Sequence, residues 1–147
     1  MRFKLLLVMA AFLTVSITNR DAAASFQNQI SYNRDIRPIF ADTCFRCHGP
    51  DKGSRKAGLR LDNRADAIIR TRSGIVPIVP GKPEESEIIR RIFSTDPNEM
   101  MPPRDSHKSL TTAQKESIRR WVAEGAVYEG HWAYQQVLRP VVPAVEG

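Results

Sequence analysis

Apolar residues recur along this chain at the three-four spacing of amphipathic helices. The first such stripe is Ile36, Ile39 and Phe40, with Cys44 one turn further on the same face. Asp35 stands where a helix cap belongs, and Pro38 falls in the first turn, where a missing N–H is tolerated. A weaker stripe of Ala65, Ile68 and Ile69 predicts a short helix over 62–70, capped by Asp62 and stopped by Gly74. Residues 75–79 form a brief extended run broken by Pro77 and Pro80. A third helix is predicted over 83–93. Pro83 opens it, Glu84, Glu85 and Glu87 occupy its first turns, and Arg90 and Arg91 its last, an order that complements the helix dipole. Ile88, Ile89, Ile92 and Phe93 make its buried side. The clearest pattern lies over 111–124. There Thr111 and Gln114 form a capping box, Gln114, Ile118, Trp121, Val122 and Gly125 share a face, and Gly125-Ala126 supplies the stop. This helix is expected to cross the one over 35–43, with Trp121 as core packing rather than an electron relay.

One unbroken apolar run, 5–17, lies ahead of these stripes, with Arg2 and Lys4 before it and Ala22-Ala23-Ala24 before Ser25. The arrangement reads as a secretory signal over 1–24, an uncleaved N-terminal anchor being the alternative. Either way the remainder leaves the cytoplasm for a periplasmic or other extracytoplasmic space. No other segment is long and apolar enough to cross a membrane. Residues 25–32 read as a polar, loose arm and 33–136 as the one domain. Residues 137–147 read as a proline-containing linker that leads to covalently linked downstream domains if the protein is longer.

The 147 residues carry 22 basic and 16 acidic side chains, a net charge of +6. Without residues 1–24 the counts become 19 and 15, a net of +4, which makes no case for a nucleic-acid partner. Five of the basic residues, Arg46, Lys52, Arg55, Lys56 and Arg60, cluster over 46–60 beside a single Asp51. They form either a solvated loop or a rim that steers an acidic redox partner.

The candidate chemistry begins in that same region, at Cys44-Phe45-Arg46-Cys47-His48, with Gly49-Pro50 directly after it. A Cys-x-x-Cys-His pentad is the pattern of c-type haem attachment: two thiols placed to add to the two vinyl groups, and an imidazole beside them to reach the iron. Cys44 and Cys47 are the only cysteines, so all thiol chemistry is confined to this pentad. Zinc would need a second Cys or His pair that the chain lacks. A thioredoxin-like site would open a helix after a strand, whereas here the residues before Cys44 look helical and Gly49-Pro50 cannot readily continue a helix beyond His48. A simple Cys44–Cys47 disulfide stays open as the plainest alternative.

A second ligand is expected from 96–103, Asp-Pro-Asn-Glu-Met-Met-Pro-Pro. A thioether opposite His48 would favour ferrous iron and raise the reduction potential. Met101 directly precedes the proline pair and is the first candidate, with Met100 as its alternative. His107 would instead make a bis-histidine site of lower potential. His131 is the weakest candidate, lacking a rigid neighbour like the proline pair.

With the pentad, Met101-Pro102-Pro103 and the helix over 110–126 in this order, the chain resembles a class I cytochrome c. More narrowly it resembles the Planctomycete-type cytochrome c domain. That likeness rests on Asn33-Arg34-Asp35-Ile36-Arg37-Pro38-Ile39, the pentad with Gly49-Pro50-Asp51, and Gly58-Leu59-Arg60-Leu61-Asp62. It extends through Pro80-Gly81-Lys82-Pro83 and Met101-Pro102-Pro103 to His131-Trp132-Ala133-Tyr134, spanning about 30–140. The resemblance implies an all-α class I cytochrome c-like fold of three to four helices around one covalently bound haem c. It implies thioethers at Cys44 and Cys47, with His48 and Met101 as iron ligands. The implied function is electron transfer with a redox partner protein, without catalysis by the domain itself. Alternatives are an accessory haem domain of a larger exported enzyme and a ligand-binding haem sensor.

Overall fold

The computed structural model describes residues 29–71, 73–130 and 133. The expected signal over 1–24, the His131-Trp132 pair and the linker over 137–147 lie outside the described residues. All described helices belong to the unit that begins at Ser31, and no strand occurs among the described residues. Five α-helical segments are present among the described residues, in keeping with the all-α expectation: α1 (Arg37–Thr43), α2 (Phe45–His48), α3 (Arg64–Ala67), α4 (Glu87–Phe93) and α5 (Thr112–Ala123).

A wide π-helical turn, Tyr32–Ile36, leads into α1. Ser31 caps it, its Oγ accepting from the Arg34 N–H, and the Asp35 carboxylate accepts from the Ser31 N–H at 2.9 Å. Asp35 therefore completes a reciprocal pair instead of serving as the cap. The widening has a local cause in Pro38, whose ring would strike the carbonyl four residues back in a regular turn. Tyr32 belongs to the core at 4% exposure, where a loose arm was expected. Glu129 fastens this end: its carboxylate accepts the Tyr32 N–H at 2.9 Å and the Asn33 N–H at 3.4 Å, and Asn33 Nδ2 donates to the Gly130 carbonyl.

Helix α5 forms as its pattern predicts. The Thr111 and Gln114 side chains satisfy each other's backbone N–H groups. At the far end the Ala126 N–H bonds the Trp121 carbonyl and the Gly125 N–H the Val122 carbonyl. Gly125 adopts φ 101° in this left-handed closure. Ile118, Trp121 and Val122 of this helix are buried, as are Ile36 and Phe40 of the first helical run. Trp121 meets Phe40 edge-on at 5.8 Å, Tyr128 at 5.0 Å and Tyr32 at 5.7 Å, and its indole N–H donates to the Val127 carbonyl. The crossing of the two helical runs is thus built on Trp121, with its one polar atom satisfied.

The middle of the chain departs from expectation in two places. Helix α3 is capped by Asn63, whose Oδ1 accepts from the Ala65 N–H, because the Asp62 carboxylate is held by Arg60 at 2.6 Å. Its buried residue is Ala67, while Ile69 is exposed. The helix expected over 83–93 is broken at Ser86, with a 3₁₀ turn (Pro83–Glu85) before it and α4 after it. Ser86 is the one buried polar residue among those described, and the reason is geometric. Its Oγ accepts from the Val79 N–H and donates to the Lys82 carbonyl, both at 2.9 Å, stitching the proline-rich approach to the helix start. Ile89 and Ile92 are buried as expected, but Phe93 is exposed and lies under the Lys115 ammonium at 5.7 Å.

Candidate functional site

Cys44 sits where α1 hands over to α2. Its N–H still bonds the Phe40 carbonyl at 2.8 Å, and its own carbonyl accepts from both Cys47 (3.1 Å) and His48 (2.8 Å). The pentad is therefore one closed helical turn. Cys44 and Cys47, three residues apart, lie on one side of it. Phe45 between them packs edge-on against Phe40 at 6.2 Å, which ties the turn to the core.

Gly49 ends the turn, and no other residue fits. A Cβ there would lie 2.2 Å from the Phe45 carbonyl oxygen. The chain then doubles back so that the Lys56 N–H bonds the Cys47 carbonyl and the Leu61 N–H the His48 carbonyl, both at 2.8 Å. The Tyr128 hydroxyl donates to the Leu61 carbonyl, linking this loop to the chain beyond α5.

Both cysteines are free thiols. The Thr43 hydroxyl spends its proton on the Ile39 carbonyl at 2.7 Å, so at 3.3 Å from Cys44 it receives the thiol proton. Burial pushes the Cys44 thiol up to about 11, and it stays protonated at neutral pH. A thiol of that kind is a poor redox nucleophile, which counts against the thioredoxin-like alternative. Burial likewise pushes the His48 imidazole below its ordinary value, against the opposing pull of the Lys56 and Leu59 backbone. Its Nδ1 is buried without a hydrogen-bond partner.

The methionine segment is built differently. The Glu99 and Met100 N–H groups bond the Asp96 carbonyl, and the Asp96 carboxylate accepts from the Asn98 N–H at 2.9 Å. Two groups of Arg91 attach this turn to the end of α4. The Arg91 carbonyl accepts from the Met101 N–H at 3.0 Å, and its guanidinium donates to the Glu99 carbonyl at 3.2 Å. Arg90 adds an ion pair to the Glu99 carboxylate. Met100 and Met101 are both partly exposed, and the Met101–Pro102 peptide bond is cis. His107 is exposed at the end of a 3₁₀ turn (Arg104–Ser106).

The five basic residues over 46–60 divide by role. Arg55 is bound to the Gly49 and Pro50 carbonyls and Arg60 to Asp62 and Asp66. Arg46, Lys52 and Lys56 remain exposed, with no ion pair among the described residues. Arg91 escaped the reading of the sequence, where it figured only as a charge suited to a helix end. Its i,i+4 spacing from Glu87 was the available signal, and that pair forms at 2.6 Å.

Among the described residues no three His, Cys, Asp or Glu side chains gather as a metal cage, so the zinc alternative gains nothing. A covalently held haem fits the residues present. Two free thiols share one turn, and the adjacent imidazole is neutral and half-buried with a polar atom lacking a partner. Residues 44–105 match the model of the Planctomycete cytochrome C family, the family that the motifs resemble. A cytochrome c domain points to haem-based electron transfer. No curated protein and no solved structure matches the chain.

Proposed function

We propose that the chain is an extracytoplasmic electron-transfer domain that would hold one haem c through thioethers at Cys44 and Cys47, with His48 and Met101 as the iron ligands. Haem so bound supplies one-electron exchange between ferric and ferrous iron. The observation that carries this reading is the closed turn from Cys44 to His48, with both thiols free and a buried imidazole nitrogen unpartnered. The family match over 44–105 supports it.

Each residue has a defined share. The core behind Phe45 holds the two thiols at fixed spacing, and burial keeps His48 neutral and able to donate a lone pair. Met101 supplies a soft sulfur from a braced turn, and Arg46, Lys52 and Lys56 leave a positive surface for an acidic redox partner. Residues 1–24 serve as the export signal, 25–30 as the arm, 31–136 as the domain and 137–147 as a proline-containing linker. By itself the domain transfers electrons and catalyses nothing.

The test is a denaturing gel stained for haem peroxidase activity, on protein exported from a host with cytochrome c maturation machinery. A Cys44→Ser, Cys47→Ser control runs beside it. Haem retained by the wild-type band and absent from the control is expected, and an unstained wild-type band rejects the proposal. For the ligand, Met101→Ala should lower the reduction potential and admit carbon monoxide to the ferrous protein, while Met100→Ala changes little. The reverse result would move the assignment to Met100.

A further inference from the structure

We propose that Arg91 is the positioning residue for the methionine side of the site: seated by Glu87, it grips the chain on both sides of Met100 and so sets where Met101 presents its sulfur. This rests on the reading of Met101 as an axial ligand. Arg91 lies in the last turn of α4, where backbone carbonyls have lost their partners within the helix. Its carbonyl takes the Met101 N–H at 3.0 Å, alongside a longer bond from the Ser94 N–H at 3.3 Å. Its side chain turns toward the same loop and donates Nη1 to the Glu99 carbonyl at 3.2 Å. One residue thereby holds the backbone immediately before and immediately after Met100.

The guanidinium is itself held. Its Nε donates to the Glu87 carboxylate at 2.6 Å, and that carboxylate also receives two bonds from Arg90. The Arg91 side chain is 29% exposed and that of Glu87 18%, whereas the Arg90 side chain is 46% exposed. Arg91 and Glu87 are thus the inner pair and Arg90 the outer brace. A lysine cannot replace Arg91, because bridging a carboxylate and a carbonyl needs two donors at a fixed angle on one planar group.

The experiment uses haem-loaded protein and two readouts: the weak charge-transfer band of methionine-ligated ferric haem, and competition by added imidazole for the methionine position. Arg91→Gln leaves the backbone carbonyl but removes the bridge. It should weaken the band and tighten imidazole binding on the order of tenfold, the worth of one hydrogen bond from a charged group. Arg91→Lys should recover less than half of that loss. Arg119→Gln, which removes an exposed pair with Glu116 on α5, should stay within about twofold of wild type. Glu87→Gln keeps the guanidinium but loosens its seat, and should shift imidazole affinity about threefold. It carries the test if Arg91→Gln does not fold. An Arg91→Gln protein that folds, keeps its band and binds imidazole within about twofold of wild type overturns the proposal alone. Wild-type protein that retains haem but lacks the methionine band overturns the ligand assignment and this proposal together.

Discussion

The two halves of the site are held by different means. The Cys44–His48 turn is continuous with the hydrophobic core: Phe45 rests on Phe40, Phe40 on Trp121, and Trp121 on Tyr32 and Tyr128. The methionine turn rests on hydrogen bonds to Asp96 and Arg91 at the protein surface. Packing of the first kind melts only with the whole domain, whereas a loop of the second kind can open locally. Cys44, Cys47 and His48 are therefore fixed by global stability and Met101 by local stability, so the two halves can be weakened separately.

The largest separation comes from Trp121→Ala. Trp121 is 1% exposed, and its removal should cost about 3–5 kcal/mol of unfolding free energy. Denaturant titration monitored by far-UV circular dichroism would measure it, and a loss below ~1 kcal/mol would deny that the histidine side depends on the core. Gly49→Ala comes next, because a Cβ 2.2 Å from a backbone oxygen forces the turn apart. It should cost about 1–3 kcal/mol and reduce the haem stain per protein on a denaturing gel.

A pH effect of about 1 kcal/mol for each of two tyrosines should appear on the same side. Burial pushes the Tyr32 hydroxyl from its ordinary value of 10 up to about 12, and raises Tyr128 as well. The unfolded chain then releases these protons first, so stability is intact below pH 10 and falls as the pH rises toward 12. Denaturant midpoints measured from pH 9 to pH 11 should decline, and Tyr32→Phe should flatten the decline. The smallest effect is expected on the methionine side. Asp96→Ala should cost about 0.5–1 kcal/mol of local stability, seen as faster amide exchange at Asn98–Met101 with little change in the global midpoint. A matching drop in the global midpoint would erase the distinction between the halves.

The same division governs what the sequence discloses. Helix α5 is fully written in local code: a capping box at Thr111, a buried stripe at helical spacing and a glycine stop. The pentad is equally plain because its chemistry depends on adjacent residues. The missed features depend on partners far along the chain or on competition for one group. Tyr32 is polar enough to suggest an arm, and only packing by Trp121 and Tyr128 buries it. Asp62 looks like a cap until Arg60 claims its carboxylate, leaving the role to Asn63. The break at Ser86 arises from a hydroxyl that binds Val79 and Lys82, which no periodicity reveals. The methionine turn is recognisable by residue type, but its attachment to Arg91 emerges only in the fold.

Glu129 gives this domain a mechanical property. Its carboxylate holds the N–H groups that open the first helical run, and that run ends at Cys44. Tension applied to the chain at Gly130 would therefore be shared with Tyr32 and Asn33, at the start of the helical run that leads to the cysteine turn.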